Sequence, residues 1–388
     1  MVKVLEILKN FFQEVFKQGL GQSPKVLGSE QSPETFKERR SMKKGIRRAL
    51  CVAVPMLGLI ALWLLQALTV PKYADEENCE GGLSADYYEW TGEKHDVLFL
   101  GDCEAYESYT PPTLFEQYGI TSVIRGTPQQ LVWHSYYLLR DTLRYETPKA
   151  VVLNVYALRY GEPQNEAYNR LVLDGMRWSP DKVAAVKASM TDDETFASYL
   201  FPLLRYHGRW GELNGDDVNY LFTHKTVSHN GYLMQTEVVP QEEEQSDPFP
   251  IADYTLPARS MAYLERIRAL CVEKGIELIL VKAPTNSADF YWFDEWEEQV
   301  CTYAKNYGLS YYNFIPLAEE IGLDWSTDTY DGGIHLNVSG AEKLTAYIGK
   351  LLQLPKHGIP DRRDEADTAA LWAEKIERYN AAKGGNGT

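Results

Sequence analysis

The chain has 388 residues, 44% of them apolar and 24% charged. That length buries a sizeable core, and the composition excludes a disordered or collagen-like chain. The net charge of −16 is uneven: residues 1–48 carry eleven Lys/Arg against five Asp/Glu, a balance of +6, which leaves −22 for the rest. So acidic a body argues against nucleic-acid binding.

The opening "MVKVLEILKNFFQEVFKQGL" sets Val4, Leu8, Phe11, Phe12, Val15 and Phe16 on one helical face. Such a helix lies on an inner leaflet, packs on a membrane partner, or has no particular role. After the basic stretch "KERRSMKKGIRR" come 22 uncharged residues, Ala49 to Val70, which as a helix span roughly 30 Å. Pro55 and Gly58 are tolerated in a membrane helix. A cleaved signal peptide has a shorter apolar core, about 7–15 residues, and a small-residue cleavage site. The expectation is therefore a retained signal anchor over 49–70, with residues 1–48 cytoplasmic and everything after Val70 outside the cell membrane.

Residues 71–95 read as a polar linker. From 96 to 356 apolar strands alternate with amphipathic helices. The strands are "VLFLG", "SVIRG", "AVVLNVY", "IELILVKAP" and "LSYYNFI"; the helices include "QQLVWHSYYLLRDTLRYE", "ARSMAYLERIRALCVEKG", "DEWEEQVCTYAKNYG" and "SGAEKLTAYIGKLL". This order predicts an α/β fold, a doubly wound parallel sheet preceded by one transmembrane helix. Residues 161–257 fit the alternation poorly and read as an insertion or cap over the sheet edge, ending in the solvated loop "VVPQEEEQSDPFP". Within that section His207, His224 and His229 read as structural. Residues 357–388 read as a peripheral helix and tail.

Reactive groups of such sheets lie beyond the carboxyl ends of the strands. Cys103, Gly126, Asn154 and Pro284 fall there. Of the five cysteines, Cys51 lies in the apolar segment, and Cys271 and Cys301 read as core residues of helices. The spacing indicates neither a disulfide framework nor a zinc site, and no metal or cofactor motif is present. Near the end stands "DTYDGGIHLNVSGAEKL", with His335 in a Gly-containing loop before a helix and Asp331 four residues ahead. Cys103, His335 and Asp331 together supply a nucleophile, a base and an orienting carboxylate, the parts of covalent acyl transfer.

"FLGDCEAY" resembles the G-D-S nucleophile motif of the SGNH/GDSL hydrolase superfamily, and "DGGIHLNVSGAEKLT" resembles its terminal Asp/His motif. The resemblance covers roughly His95 to Leu354 outside much of the middle section, and implies a flavodoxin-like fold. With the amino-terminal anchor, the layout is similar to DltD-like envelope proteins that accompany membrane-bound O-acyltransferases. Carried onto this chain, it implies Cys103 as nucleophile, His335 as base and Asp331 as orienting acid. It also implies Gly126 and Asn154 as oxyanion residues. Three departures stand out: a thiol replaces the hydroxyl, three residues instead of two separate Asp331 from His335, and "LNVYAL" lacks the G-x-N-D pattern. Asp328, the other nearby carboxylate, lies further from His335.

Two functions follow as expectations. One is an esterase or acyltransferase acting on O-acyl groups of a cell-envelope polymer, with a membrane-bound O-acyltransferase as partner. In that case Arg125, Lys282, Arg205 and Arg209 are candidates for a local basic groove. The other is a non-catalytic scaffold for the same partner, in which Cys103 only fills space.

Overall fold

The computed structural model describes residues 33–71, 81–223, 226–241, 250–287 and 291–385. The amphipathic segment 1–20, linker residues 72–80 with Cys79, His224, and residues 242–249 of the acidic loop lie outside the described residues. The chain divides into two units, residues 1–64 and 65–388. Helix α1 (Pro33–Thr69) continues through Pro55. Its segment Arg47–Thr69, of mean hydropathy 2.2, is long and apolar enough to cross a membrane.

Strands β1 (Val97–Gly101), β2 (Ser122–Gly126), β3 (Ala150–Asn154), β4 (Glu277–Lys282) and β5 (Ser310–Asn313) form one parallel sheet in the order β2-β1-β3-β4-β5. Every residue of β1, β2 and β3 is buried. This explains why their apolar runs are continuous: with both faces covered, neither set of alternating side chains meets water. Alternation still sorts the faces. Leu98, Leu100, Val151, Leu153, Leu278 and Leu280 enter one core layer. Val97, Phe99, Val152, Ile279 and Val281 enter the other. The first layer is closed by α4 (Val132–Thr142), α7 (Ala258–Lys274) and α8 (Asp294–Tyr307). Helix α9 (Val338–Leu352) closes the second through Ala341, Leu344, Ile348 and Leu352.

Several segments that read as peripheral are built into this body. Residues 82–90 of the expected linker form two short helical turns with Tyr87, Tyr88 and Trp90 buried, because three large aromatic side chains recover more apolar area than a solvated linker offers. Helix α10 (Ala366–Gly385) buries Trp372 and Tyr379, and Trp372 stacks on Phe115 at 5.0 Å. The expected insertion splits in two. Its helices α5 (Glu166–Leu173) and α6 (Pro180–Ser189) place Val172, Leu173, Ala185 and Val186 in the first core layer. Its later part runs along the β2 edge, where the Ile124 N–H donates to Asn230 O at 2.9 Å. Gly231 (φ +89) is required there, since a Cβ would stand 2.0 Å from Ile124 O. Cys271 is buried but Cys301 is exposed, and both are free; Cys301 falls on the outer face of α8.

Arg125, read from sequence as a groove residue, is an internal tie. Its Nη1 donates to Asp141 Oδ2 at 2.9 Å, to Leu138 O and to Thr142 Oγ1, and its guanidinium covers the Tyr87 ring at 4.2 Å. It is 2% exposed and joins β2 to α4. Replacing it as Arg125→Met takes away the buried cation of Asp141 and leaves the carboxylate to the Tyr88 hydroxyl at 2.7 Å and to Arg144 at 3.5 Å. A loss of about 3–5 kcal/mol in unfolding free energy is expected, measured by denaturant titration.

Candidate active site

Strand β1 ends where a side chain has no room. A Cβ on Gly101 would stand 2.7 Å from Asn154 Cβ and 2.9 Å from Ala105 Cβ. The chain turns at Asp102, whose carboxylate accepts the Glu104 N–H at 3.2 Å and caps the four-residue helix α2 (Cys103–Tyr106). Cys103 is the first residue of that turn, just past the strand end, and 8% exposed.

His335 reaches the same rim from the loop before α9. Thr329 Oγ1 accepts the Gly333 N–H at 2.8 Å and lies 3.3 Å from Asp331 Oδ1. Gly332 and Gly333 take φ +77 and +94, values that cost glycine little and other residues much. The double turn absorbs the third intervening residue. Asp331 accepts the His335 backbone N–H at 2.8 Å and sits 2.6 Å from the ring Nδ1. The imidazole and the Cys103 sulfur lie close enough to act on each other electrostatically.

Three residues absent from the sequence reading complete the surroundings. Glu107, 1% exposed, sets Oε2 3.7 Å from His335 Nδ1 and accepts the Tyr330 hydroxyl on Oε1 at 3.0 Å. Tyr330 stacks on the imidazole, with centroids 6.1 Å apart and planes at 17°. Glu104 accepts from Lys282 Nζ at 2.6 Å and from Asn154 Nδ2 at 3.0 Å, all three being buried. Glu107 stands one helical turn after Cys103, the one spacing signal that could have found it.

The other expected site residues are placed as follows. Gly126 pairs with Gly101 at the neighbouring strand end and packs under Tyr106. Asn154 ends β3, but its amide is taken by Glu104 and its Oδ1 accepts the Tyr156 N–H at 2.9 Å. Lys282 is fully buried in its pair with Glu104, so it is an internal cation and not a groove residue. Asp328 is buried against Lys343 and takes no part. Arg205 pairs with Glu166 at 2.6 Å, and Arg209 with Asp217 at 3.3 Å.

The end of the middle section holds the His335 loop from outside. The Val239 N–H donates to Thr329 O at 3.1 Å, Gly332 N–H to Val239 O at 3.1 Å, and Val338 N–H to Gln235 O at 2.7 Å. Asn337 caps α9 and donates from Nδ2 to Glu237 O at 3.1 Å and Thr327 O at 2.8 Å. These bonds tie the loop to residues 235–239.

Electrostatics here favour protons. Burial pushes the Cys103 thiol up to about 12, with His335 pulling it down and Asp102 and Glu107 adding to the rise. Burial beside Glu104 raises Asp102 to about 7, against Lys282 and His335. For His335 burial opposes charge, yet the Cys103 sulfur, Glu107 and the Asp331 hydrogen bond together hold it well above its ordinary value. The site can thus store a proton on the ring and carry an imidazolium next to two carboxylates. The free thiolate is disfavoured unless its proton moves to His335.

No protein-family model matches the chain, and no curated protein matches it. Among solved structures it is similar to a proposed acylhydrolase from Bacteroides fragilis NCTC 9343, at 12% identity and TM-score 0.33, covering 69% of this chain and 93% of that one. It is also similar to a GDSL-like lipase from Bacteroides thetaiotaomicron VPI-5482, at 12% identity and TM-score 0.32, covering 69% and 98%. Likeness at that level carries no argument about activity.

Two outcomes are expected. His335 gains protons on folding, so its stabilising contribution is fully present below the unfolded histidine value of about 6.5 and is lost as pH rises through the folded value. The difference in unfolding free energy between wild type and His335→Gln should shrink on raising the pH, followed by denaturant titrations across the range. At pH 7.5 iodoacetamide should label exposed Cys301 well before Cys103, read by mass spectrometry of the two peptides.

Proposed function

We propose that the chain is a membrane-anchored, extracytoplasmic acyl hydrolase or acyltransferase of the SGNH/GDSL kind, acting on O-acyl groups of a cell-envelope polymer. Cys103 is the nucleophile, His335 the base and Asp331 the orienting carboxylate. The observation that carries the reading is the His335–Asp331 pair at 2.6 Å, with the imidazole near enough to the Cys103 sulfur to act on it electrostatically, beyond the carboxyl end of β1. The anchor is α1, with its basic side cytoplasmic.

In the first half-reaction the Cys103 sulfur attacks the ester carbonyl carbon while its proton passes to Nε2 of His335. The imidazolium bears the resulting positive charge, which the Asp331 and Glu107 carboxylates offset. The tetrahedral oxyanion falls to backbone N–H groups near Gly126 and the start of α2, because the Asn154 amide serves Glu104. Collapse breaks the carbon–oxygen bond, the leaving alkoxide takes the proton from the imidazolium, and a Cys103 thioester remains. In the second half-reaction His335 takes a proton from water or a polymer hydroxyl, which attacks the thioester; the departing sulfur recovers that proton. Such a thioester transfers readily to hydroxyl or amine acceptors, which suits a partnership with a membrane-bound O-acyltransferase.

The scaffold reading has one observation in its favour: a thiol that is nearly buried and pushed up to about 12 among carboxylates. Hydrolysis of an aryl acetate by the full-length chain in detergent separates the two. A Cys103 acyl-enzyme trapped by mass spectrometry, and a rate lowered about 10²–10⁴-fold in His335→Gln and abolished in Cys103→Ala, are the expected results. A rate that Cys103→Ala leaves unchanged, with no acylated peptide, would leave the scaffold.

A further inference from the structure

The inserted section carries a feature that the chemistry at Cys103 does not use. Between residues 196 and 222 the chain makes a run of short helical turns: Phe196–Leu200, Leu203–Tyr206, His207–Gly211 and Gly215–Asn219. Tyr199 and Tyr206 of this run are buried, but other large apolar side chains in and just after it face outward. Phe222 is 80% exposed, Leu204 57% and Trp210 49%, and Leu200 and Phe201 are exposed as well. Trp178, also exposed, meets the Phe196 ring edge-on at 6.4 Å, which extends the patch to the neighbouring α5–α6 layer. Water-facing apolar side chains scattered singly are ordinary; five of them within 23 residues of chain mark an interaction surface.

The same run reaches the exit of the apolar helix. Arg209, next to Trp210, donates from Nη1 to Thr69 O at 2.7 Å. Thr69 is the last residue of α1 and fully buried, and its hydroxyl folds back on Leu65 O and Gln66 O. Asp217 and Glu212 pair with Arg209 at 3.3 and 3.5 Å, while Asp216 of the same turn is exposed. A backbone carbonyl at the end of a membrane span lies at the boundary between hydrocarbon and headgroups. Trp210 directly follows the arginine that holds it. Trp, Phe and Leu are the residues that gain there, burying rings and branched chains in the acyl boundary.

We propose that the face formed by Leu200, Phe201, Leu204, Trp210 and Phe222 rests in the lipid headgroup region of the bilayer that α1 crosses. The domain then binds the membrane at two points, the span and this collar. The proposal is independent of the chemistry at Cys103 but rests on Arg47–Thr69 being a membrane span.

The test uses the full chain in nanodiscs of phosphatidylcholine, with and without bromine-labelled acyl chains. Cys51, Cys79 and Cys301 are replaced by Ser, and an environment-sensitive fluorophore is attached at Leu204→Cys or Phe222→Cys. Trp63→Cys in the span and Val272→Cys, exposed on α7, serve as references. Positions 204 and 222 should show blue-shifted emission and bromine quenching intermediate between positions 63 and 272. Quenching at 63 with none at 204 and 222 would overturn the collar while leaving the anchor. Absence of quenching at 63 would remove the span and the collar together. A blue shift at 204 and 222 without bromine quenching would mean that protein, not lipid, covers the face, and would overturn the proposal equally.

Discussion

Lys282 and Glu104 meet at 2.6 Å where three strands end, and neither reaches water. Lys282 closes β4, Glu104 belongs to the turn after β1, and Asn154 at the end of β3 donates to the same carboxylate. One buried anion thus ties three adjacent strand ends across the crevice where the strand order reverses. Two charges without solvent are costly unless both are fully engaged, so the arrangement tolerates little displacement. Its consequence is local. Glu104 follows Cys103 directly, and fixing Glu104 fixes the direction in which the neighbouring sulfur leaves the turn.

The second constraint acts on His335. Its ring is set by a carboxylate four residues upstream, through two successive left-handed glycines, and by Tyr330 stacked on its face. The loop is then bolted from outside by backbone bonds to residues 235–239. The later part of the middle section therefore supports the imidazole, while the earlier part packs on α4. A hydroxyl at position 103 would meet the same imidazole, but a thiol responds more strongly to its setting. The Asp102 and Glu107 carboxylates add to the rise that burial gives the thiol, while the Cys103 sulfur, Glu107 and Asp331 favour the charged ring.

Which parts were legible in the chain follows from the range of the forces involved. The uncharged stretch 49–70, the strand and helix alternation and the positions of Cys103, His335 and Asp331 are local patterns of hydropathy and spacing. The strands stand within a residue or two of where their apolar runs lie, because burial on both faces is written into each run separately. The linker, the carboxyl-terminal helix and the groove cations read differently from what folding made of them. Tyr87, Trp372 and Arg125 look like surface residues until a partner far along the chain covers them.

The amino-acid sequence by itself determined that there is a membrane-length apolar helix, a parallel α/β body and a thiol, an imidazole and a carboxylate at strand and helix ends. Only the tertiary structure decided that Asp331 closes on His335 through a five-residue loop, that Glu107 and Tyr330 join them, and that Lys282 and Asn154 serve Glu104 instead of a ligand. The physical reason is that hydropathy and turn chemistry act between near neighbours. A buried ion pair between residues 104 and 282, or an arginine at 209 reaching the carbonyl of residue 69, exists only once the sheet has brought distant segments together and removed the water between them.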